Sequence, residues 1–108
     1  MKKWQIIVTD TAKSDLREIA LGIDEVSKDP DTAVNFVMEL EAHCSILYSQ
    51  PESGAIPKDY VLKALGYRFL VYKNDLVFYI INPDEKTVSI HAFFNEKLDY
   101  IRYMRKRI

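Results

Sequence analysis

The chain carries a single cysteine, Cys44, so no internal disulfide can form and a reducing, cytoplasmic compartment is expected. Histidine is almost as scarce. His43, His91 and Cys44 are too few and too scattered for a zinc site, and no metal or cofactor is expected. Three glycines and four prolines in 108 residues leave little material for long linkers or low-complexity tracts, and there is no internal repeat. No apolar run approaches the roughly 20 residues that a membrane-spanning helix requires. The apolar run after Lys2-Lys3 is far too short for a signal peptide. No phosphate-cradling glycine loop and no nucleophile elbow occurs, which argues against an unrelated small-molecule enzyme.

What is present suits one domain over residues 1–108 with a modest core, at 48% hydrophobic and 29% charged residues. The net charge of −1 hides an asymmetry. Residues 1–54 hold 5 Lys/Arg against 10 Asp/Glu, and residues 55–108 hold 10 against 6. The second half could present a positive surface to a phosphate backbone or an acidic partner, or the two halves could simply attract each other.

The strongest local pattern is Leu65 to Tyr79. Tyr67–Lys73 and Leu76–Ile81 are rich in β-branched and aromatic residues and read as two strands joined at Asn74-Asp75, two residues that tolerate left-handed backbone. Pairing Lys73 with Leu76 sets Val71 opposite Phe78 and Phe69 opposite Ile80 as one apolar face. Arg68, Leu70, Tyr72, Tyr79 and Ile81 fall on the other, and an arginine between tyrosines there predicts an open groove.

Around this hairpin, Lys3–Thr9 reads as a first strand, and Asp10 or Thr11 can cap a helix with Ala12, Leu16, Ile19, Ala20 and Ile23 on one face. Asp15 and Glu18 near its start favour the helix dipole. Asp29-Pro30 restarts a second helix with an apolar stripe through Ala33, Phe36, Val37, Leu40, Cys44 and Leu47, which should pack back on the first as a hairpin. Residues 48–58 form a loop. A short strand is expected over 59–64, and Thr87–Phe94 alternates as a strand, with His91 on the same side as Thr87 and Ser89. Asn95 or Glu96 opens a last helix running to a basic end. The expected architecture is α+β: a small, mainly antiparallel sheet in the order β-α-α-β-β-β-β-α. The helical hairpin packs on one face, and the first strand adds parallel through a long crossover.

Gly66-Tyr67-Arg68, the short turn, Leu76-Val77-Phe78-Tyr79, and the tail Lys97-Leu98-Asp99-Tyr100 resemble the RelE/ParE toxins of bacterial type II toxin–antitoxin pairs. Thr11-Ala12, Asp15-Leu16, Pro30, Ala33, Phe36, Pro51 and Gly54 fit the same pattern, so the resemblance spans nearly the whole chain. It implies a toxin held inactive by a cognate antitoxin in a heteromeric assembly. The RelE-like branch cuts messenger RNA on the ribosome; the ParE-like branch poisons DNA gyrase and is not a nuclease.

Metal-free RNA cleavage needs an activated 2′-hydroxyl, a stabilised phosphate and a protonated leaving oxygen. Arg68 is the candidate phosphate clamp, matching a family arginine, with a structural ion pair as the alternative. Lys63 and Lys97 could assist, Lys97 standing where relatives have arginine. His91 could act as acid or base, although the family histidine falls nearer Asn95. Tyr72, Tyr79, Tyr100 and Tyr103 are candidates for RNA contact, Tyr100 and Tyr103 by stacking, and packing is the other reading of Tyr100. If Lys63, Arg68 and His91 share a face, ribosome-dependent RNA cleavage is the first expectation. Gyrase inhibition, or antitoxin binding alone, is the alternative. Glu96-Lys97-Leu98 in place of the family's basic string, and a pI of about 6.1, count against the nuclease.

Overall fold

Residues 4–108 are described by a computed structural model. Strand β1 is Gln5–Val8; the expected start at Lys3 lies outside the described residues. Thr9, in extended backbone, caps helix α1 (Asp10–Ser27) by accepting the Ala12 N–H on its hydroxyl at 3.2 Å, one residue before the expected cap. Lys28 takes a left-handed φ of 56° and ends α1. Asp29 then caps helix α2 (Pro30–Cys44), with Pro30 in the first turn as expected. Two 3-10 turns follow, at Ser45–Tyr48 and Pro51–Ser53.

Residues 59–64 are not a strand. Asp59 accepts the Leu62 N–H at 3.2 Å and thereby opens helix α3 (Tyr60–Ala64), so the cap overrides the β-preference of Val61. Gly66, at φ 88°, turns the chain into strand β2 (Tyr67–Tyr72). Strands β3 (Asp75–Asn82) and β4 (Thr87–Asn95) complete a four-stranded sheet in the order β1-β4-β3-β2. β1 is parallel to β4, and the other neighbours are antiparallel. The last helix, α4 (Tyr100–Arg105), starts later than expected because Asp99 caps it. The fold is the expected α+β one, with four strands in place of five.

The hairpin turn lies at Lys73-Asn74, where Lys73 takes φ 53° and Tyr72 faces Asp75. Asp75 is drawn into the ladder opposite Asn95, so the turn forms one residue earlier than expected. Phe69 therefore pairs with Phe78, and Val71 with Leu76. The two faces keep their expected members, but their cover is reversed. α1 and α2 pack on Leu70, Val77, Tyr79, Val88 and Ile90 through Ala12 and Leu40, joined by Leu47 of the 3-10 turn that follows α2. The Phe69 and Phe78 face packs instead with Leu62 of α3 and with Tyr100 and Met104 of α4. Tyrosine rings bury like other large aromatics once their hydroxyls are bonded, so the Arg68 face is a core and not a groove.

The alternation of β4 also breaks. Phe78 pairs with Ala92 but Tyr79 with Ile90, which leaves His91 as the extra residue of a bulge. Beyond it the phase switches: Val88, Ile90 and Phe93 join the first core, and Ala92 and Phe94 the second.

Tyr79 fixes the loop after α2. Its buried hydroxyl donates to the Pro51 carbonyl at 2.7 Å and accepts the Gly54 N–H at 2.9 Å. A Cβ on Gly54 would strike that hydroxyl and stand 2.8 Å from the Phe69 carbonyl oxygen, whereas one on Gly22, within α1, would meet nothing within 4 Å. The two glycines should therefore respond oppositely in thermal denaturation. Gly54→Ala is expected to lower stability by about 1–3 kcal/mol through overpacking. Gly22→Ala is expected to raise it by about 0.5–1 kcal/mol through helix propensity.

Candidate functional site

The residues singled out for chemistry are dispersed. Arg68 stands on the α1–α2 side of β2, and its guanidinium is committed to the loop. Nη1 donates to the Gly54 carbonyl at 3.1 Å and the Glu52 carbonyl at 3.3 Å, and Nη2 lies 3.8 Å from the Glu52 carboxylate. It is not on an open face away from the helices. Lys63 is exposed on α3. Lys97 is exposed between β4 and α4, where its N–H donates to Asn95 Oδ1 at 2.9 Å. His91 sits half-buried at the bulge, its ring 5.6 Å from that of Tyr67 in an edge-on contact. That places it on the sheet face opposite Arg68, because the bulge re-aims it. Among the described residues, no hydrogen bond or ion pair joins any two of Arg68, Lys63, Lys97 and His91.

The four tyrosines are engaged in packing. Tyr79 is fully buried. Tyr72 lies against Phe36 and His43 of α2, with ring centroids 5.8 and 5.2 Å away. Tyr100 stacks on Phe78 at 5.8 Å, and Tyr103 rests on Phe94 at 4.4 Å.

The densest polar cluster involves Asp15. This carboxylate, nearly buried on α1, receives both Nη atoms of Arg107, at 2.8 and 2.6 Å. It also accepts the Tyr103 hydroxyl at 3.0 Å and the Phe93 N–H at 3.1 Å. Arg107 donates further to the Tyr103 hydroxyl and, at 2.9 Å, to the His91 carbonyl. β1 ends opposite Ile90, so the Phe93 N–H lies beyond its reach and Asp15 takes it. The sequence signal was an acid beside Leu16, one turn beyond Ala12 on the apolar stripe of α1; a helix-dipole role alone does not call for that position. Nothing separates Arg107 from its basic neighbours in sequence. A second pair, Arg105–Asp59 at 2.7 Å, ties α4 to the start of α3 and holds the Asp59 carboxyl below its usual range. Among the described residues no His, Cys, Asp or Glu side chains are grouped to hold a metal ion, and no helix is long and apolar enough to cross a membrane.

The sheet order, the helical hairpin and the loop clamped beneath Arg68 and Tyr79 are the context for the family comparison. The model of a family described as ParE toxin of type II toxin-antitoxin system, parDE, matches residues 6–100. The chain belongs to the ParE toxin family. Solved structures carry the same fold. The chromosomal ParDE toxin–antitoxin system from P. aeruginosa aligns with a TM-score of 0.69 at 19% identity, over 85% of this chain and 95% of that one. The toxin–antitoxin complex RelBE2 from Mycobacterium tuberculosis aligns at 0.61 and 18%, over 86% and 98%. No curated protein matches the chain in sequence. It is thus a toxin of the type II toxin-antitoxin class, and its most tightly bonded polar group, Asp15 with Arg107, staples α1 to the segment after α4.

His91 in this ParE-family chain is held neutral. Burial, then the charge of Arg107, lowers its pKa below the ordinary 6.5. The unfolded chain therefore takes up this proton at higher pH than the folded one, so stability is lost as pH falls through about 6.5. Melting temperatures at pH 7.5 and 5.5 should show a larger drop for the parent than for His91→Gln. Equal drops would mean that His91 titrates alike in both states.

Proposed function

We propose that this ParE-family toxin acts on DNA gyrase without cutting RNA, and that a cognate antitoxin holds it inactive in the cytoplasm. The observation that carries the reading is the dispersal of the groups that RNA cleavage would need. Acid–base and phosphate-stabilising side chains must converge within hydrogen-bond reach of one reacting site. Here Arg68 bonds loop carbonyls on one side of the sheet, while His91 lies half-buried on the other. The neutral His91 ring faces Tyr67, and its backbone is tied to Arg107. The ribosome-dependent RNA cleavage favoured when these residues were expected on one face loses that support, and the ParE match favours the gyrase branch. An antitoxin partner is supported by the two structural relatives, whose descriptions name toxin–antitoxin systems.

The test is which process stops first after induction in a bacterial host. Reporter-plasmid supercoiling should relax and the DNA-damage response should rise while transcripts stay intact, and co-expressed antitoxin should restore growth. Transcripts cut at codon-clustered positions with supercoiling unchanged would instead establish the ribosomal reading.

A further inference from the structure

The two sides of the sheet carry opposite charge. Residues 10–44, which form α1 and α2 on one side, hold three Lys/Arg against nine Asp/Glu. Residues 58–64 and 97–108, which include α3 and α4 on the other, hold seven Lys/Arg against two aspartates. Both aspartates are engaged: Asp59 caps α3 and pairs with Arg105, and Asp99 caps α4. Arg107 is bound to Asp15. Lys58, Lys63, Arg102 and Lys106 are exposed, and none of the ion pairs among the described residues involves them. Leu62 of α3 and Met104 of α4 are fully buried in one core, and Arg105–Asp59 ties the two helices together, so their outer faces lie side by side. Tyr60 stands on this surface, 76% exposed, with the Arg105 guanidinium 6.0 Å from its ring centroid.

The surface thus joins uncompensated cations to an exposed phenol. Phosphate backbones are contacted by Lys, Arg and Tyr side chains, whereas protein-binding surfaces are depleted in lysine. The acidic α1–α2 side repels the same polyanion, so the field of the whole molecule turns α3 and α4 towards it. A net charge of −1 conceals this polarity.

We propose that the outer surface of α3 and α4 docks on the phosphate backbone of duplex DNA, with Lys58, Lys63, Arg102 and Lys106 on phosphates and the Tyr60 hydroxyl as a further donor; the proposal rests on the gyrase reading above, since gyrase acts on a bound duplex. The toxin then engages gyrase together with its DNA, through contacts that carry no base sequence.

The test uses the full chain and a labelled duplex of mixed sequence, with affinity measured by anisotropy over a range of salt, beside inhibition of gyrase supercoiling. Four phosphate contacts give the parent a slope of log K against log salt of about −3.6. The triple variant Lys63→Gln, Arg102→Gln, Lys106→Gln should lose about 2.7 of that slope and most inhibition of gyrase, while melting as the parent does. Lys58→Gln alone should lose about 0.9. A control triple on the other side, Lys13→Gln, Arg17→Gln, Lys28→Gln, removes equal charge and should keep both slope and inhibition. A parent that binds no duplex, or an unchanged slope in the triple and Lys58 variants, overturns the proposal. Undiminished gyrase inhibition by the triple variant also overturns it and leaves the gyrase reading standing, whereas a parent that never inhibits gyrase overturns both. Inhibition lost with duplex binding intact would give the surface to an acidic patch of gyrase itself, and tighter binding to single-stranded RNA would give it to RNA; either result overturns the proposal.

Discussion

The fold depends on one carboxylate. Asp15 sits at the meeting point of α1, the free edge of β4 and the end of the chain, and it accepts four hydrogen bonds there. Two come from a single guanidinium in the forked geometry that makes arginine–carboxylate pairs strong. Desolvating such a pair is costly, and the cost is recovered only if the remaining lone pairs are also satisfied. Tyr103 and the Phe93 N–H satisfy them. The staple links the two cores, because α1 belongs to the first while Tyr103 and Met104 pack in the second. Without it α4 would be held mainly by Arg105–Asp59 and by aromatic contacts with Phe78 and Phe94.

Much of this architecture is legible in the residues. Asp29-Pro30, the stripe from Ala33 to Leu47 and the aromatic strands mark the helical hairpin and the meander, because periodicity and capping are local signals. The departures have non-local or single-residue causes. One aspartate cap, Asp59, makes a helix of a β-like segment. One bulge residue, His91, switches the phase of β4. The reversed cover of the sheet has such a cause too: Arg68 does not need an open face, because the Gly54 and Glu52 carbonyls accept its N–H groups. Tyr79 is wholly buried because the carbonyl and N–H that satisfy its hydroxyl come from a loop some 25 residues away in sequence.

The same errors explain the candidate site. Arg68 reads as a free phosphate clamp only if the loop at 52–54 is ignored, and that loop's fold is set by Tyr79 and Gly54. With both sheet faces covered, the features left for function are surface ones: the exposed basic side chains of α3, α4 and the β4–α4 connection.

The account stands most directly on the coupling between Asp15 and Arg107. A double-mutant cycle with Asp15→Asn and Arg107→Met, read by chemical denaturation, isolates it. Each single change leaves a partly buried charge or its polar neighbours unpaired, and should cost about 3 kcal/mol. The double variant should cost clearly less than their sum, giving a coupling of about 2 kcal/mol. Additive costs would contradict the account and show that α4 is held by Arg105–Asp59 and its aromatic packing without the staple.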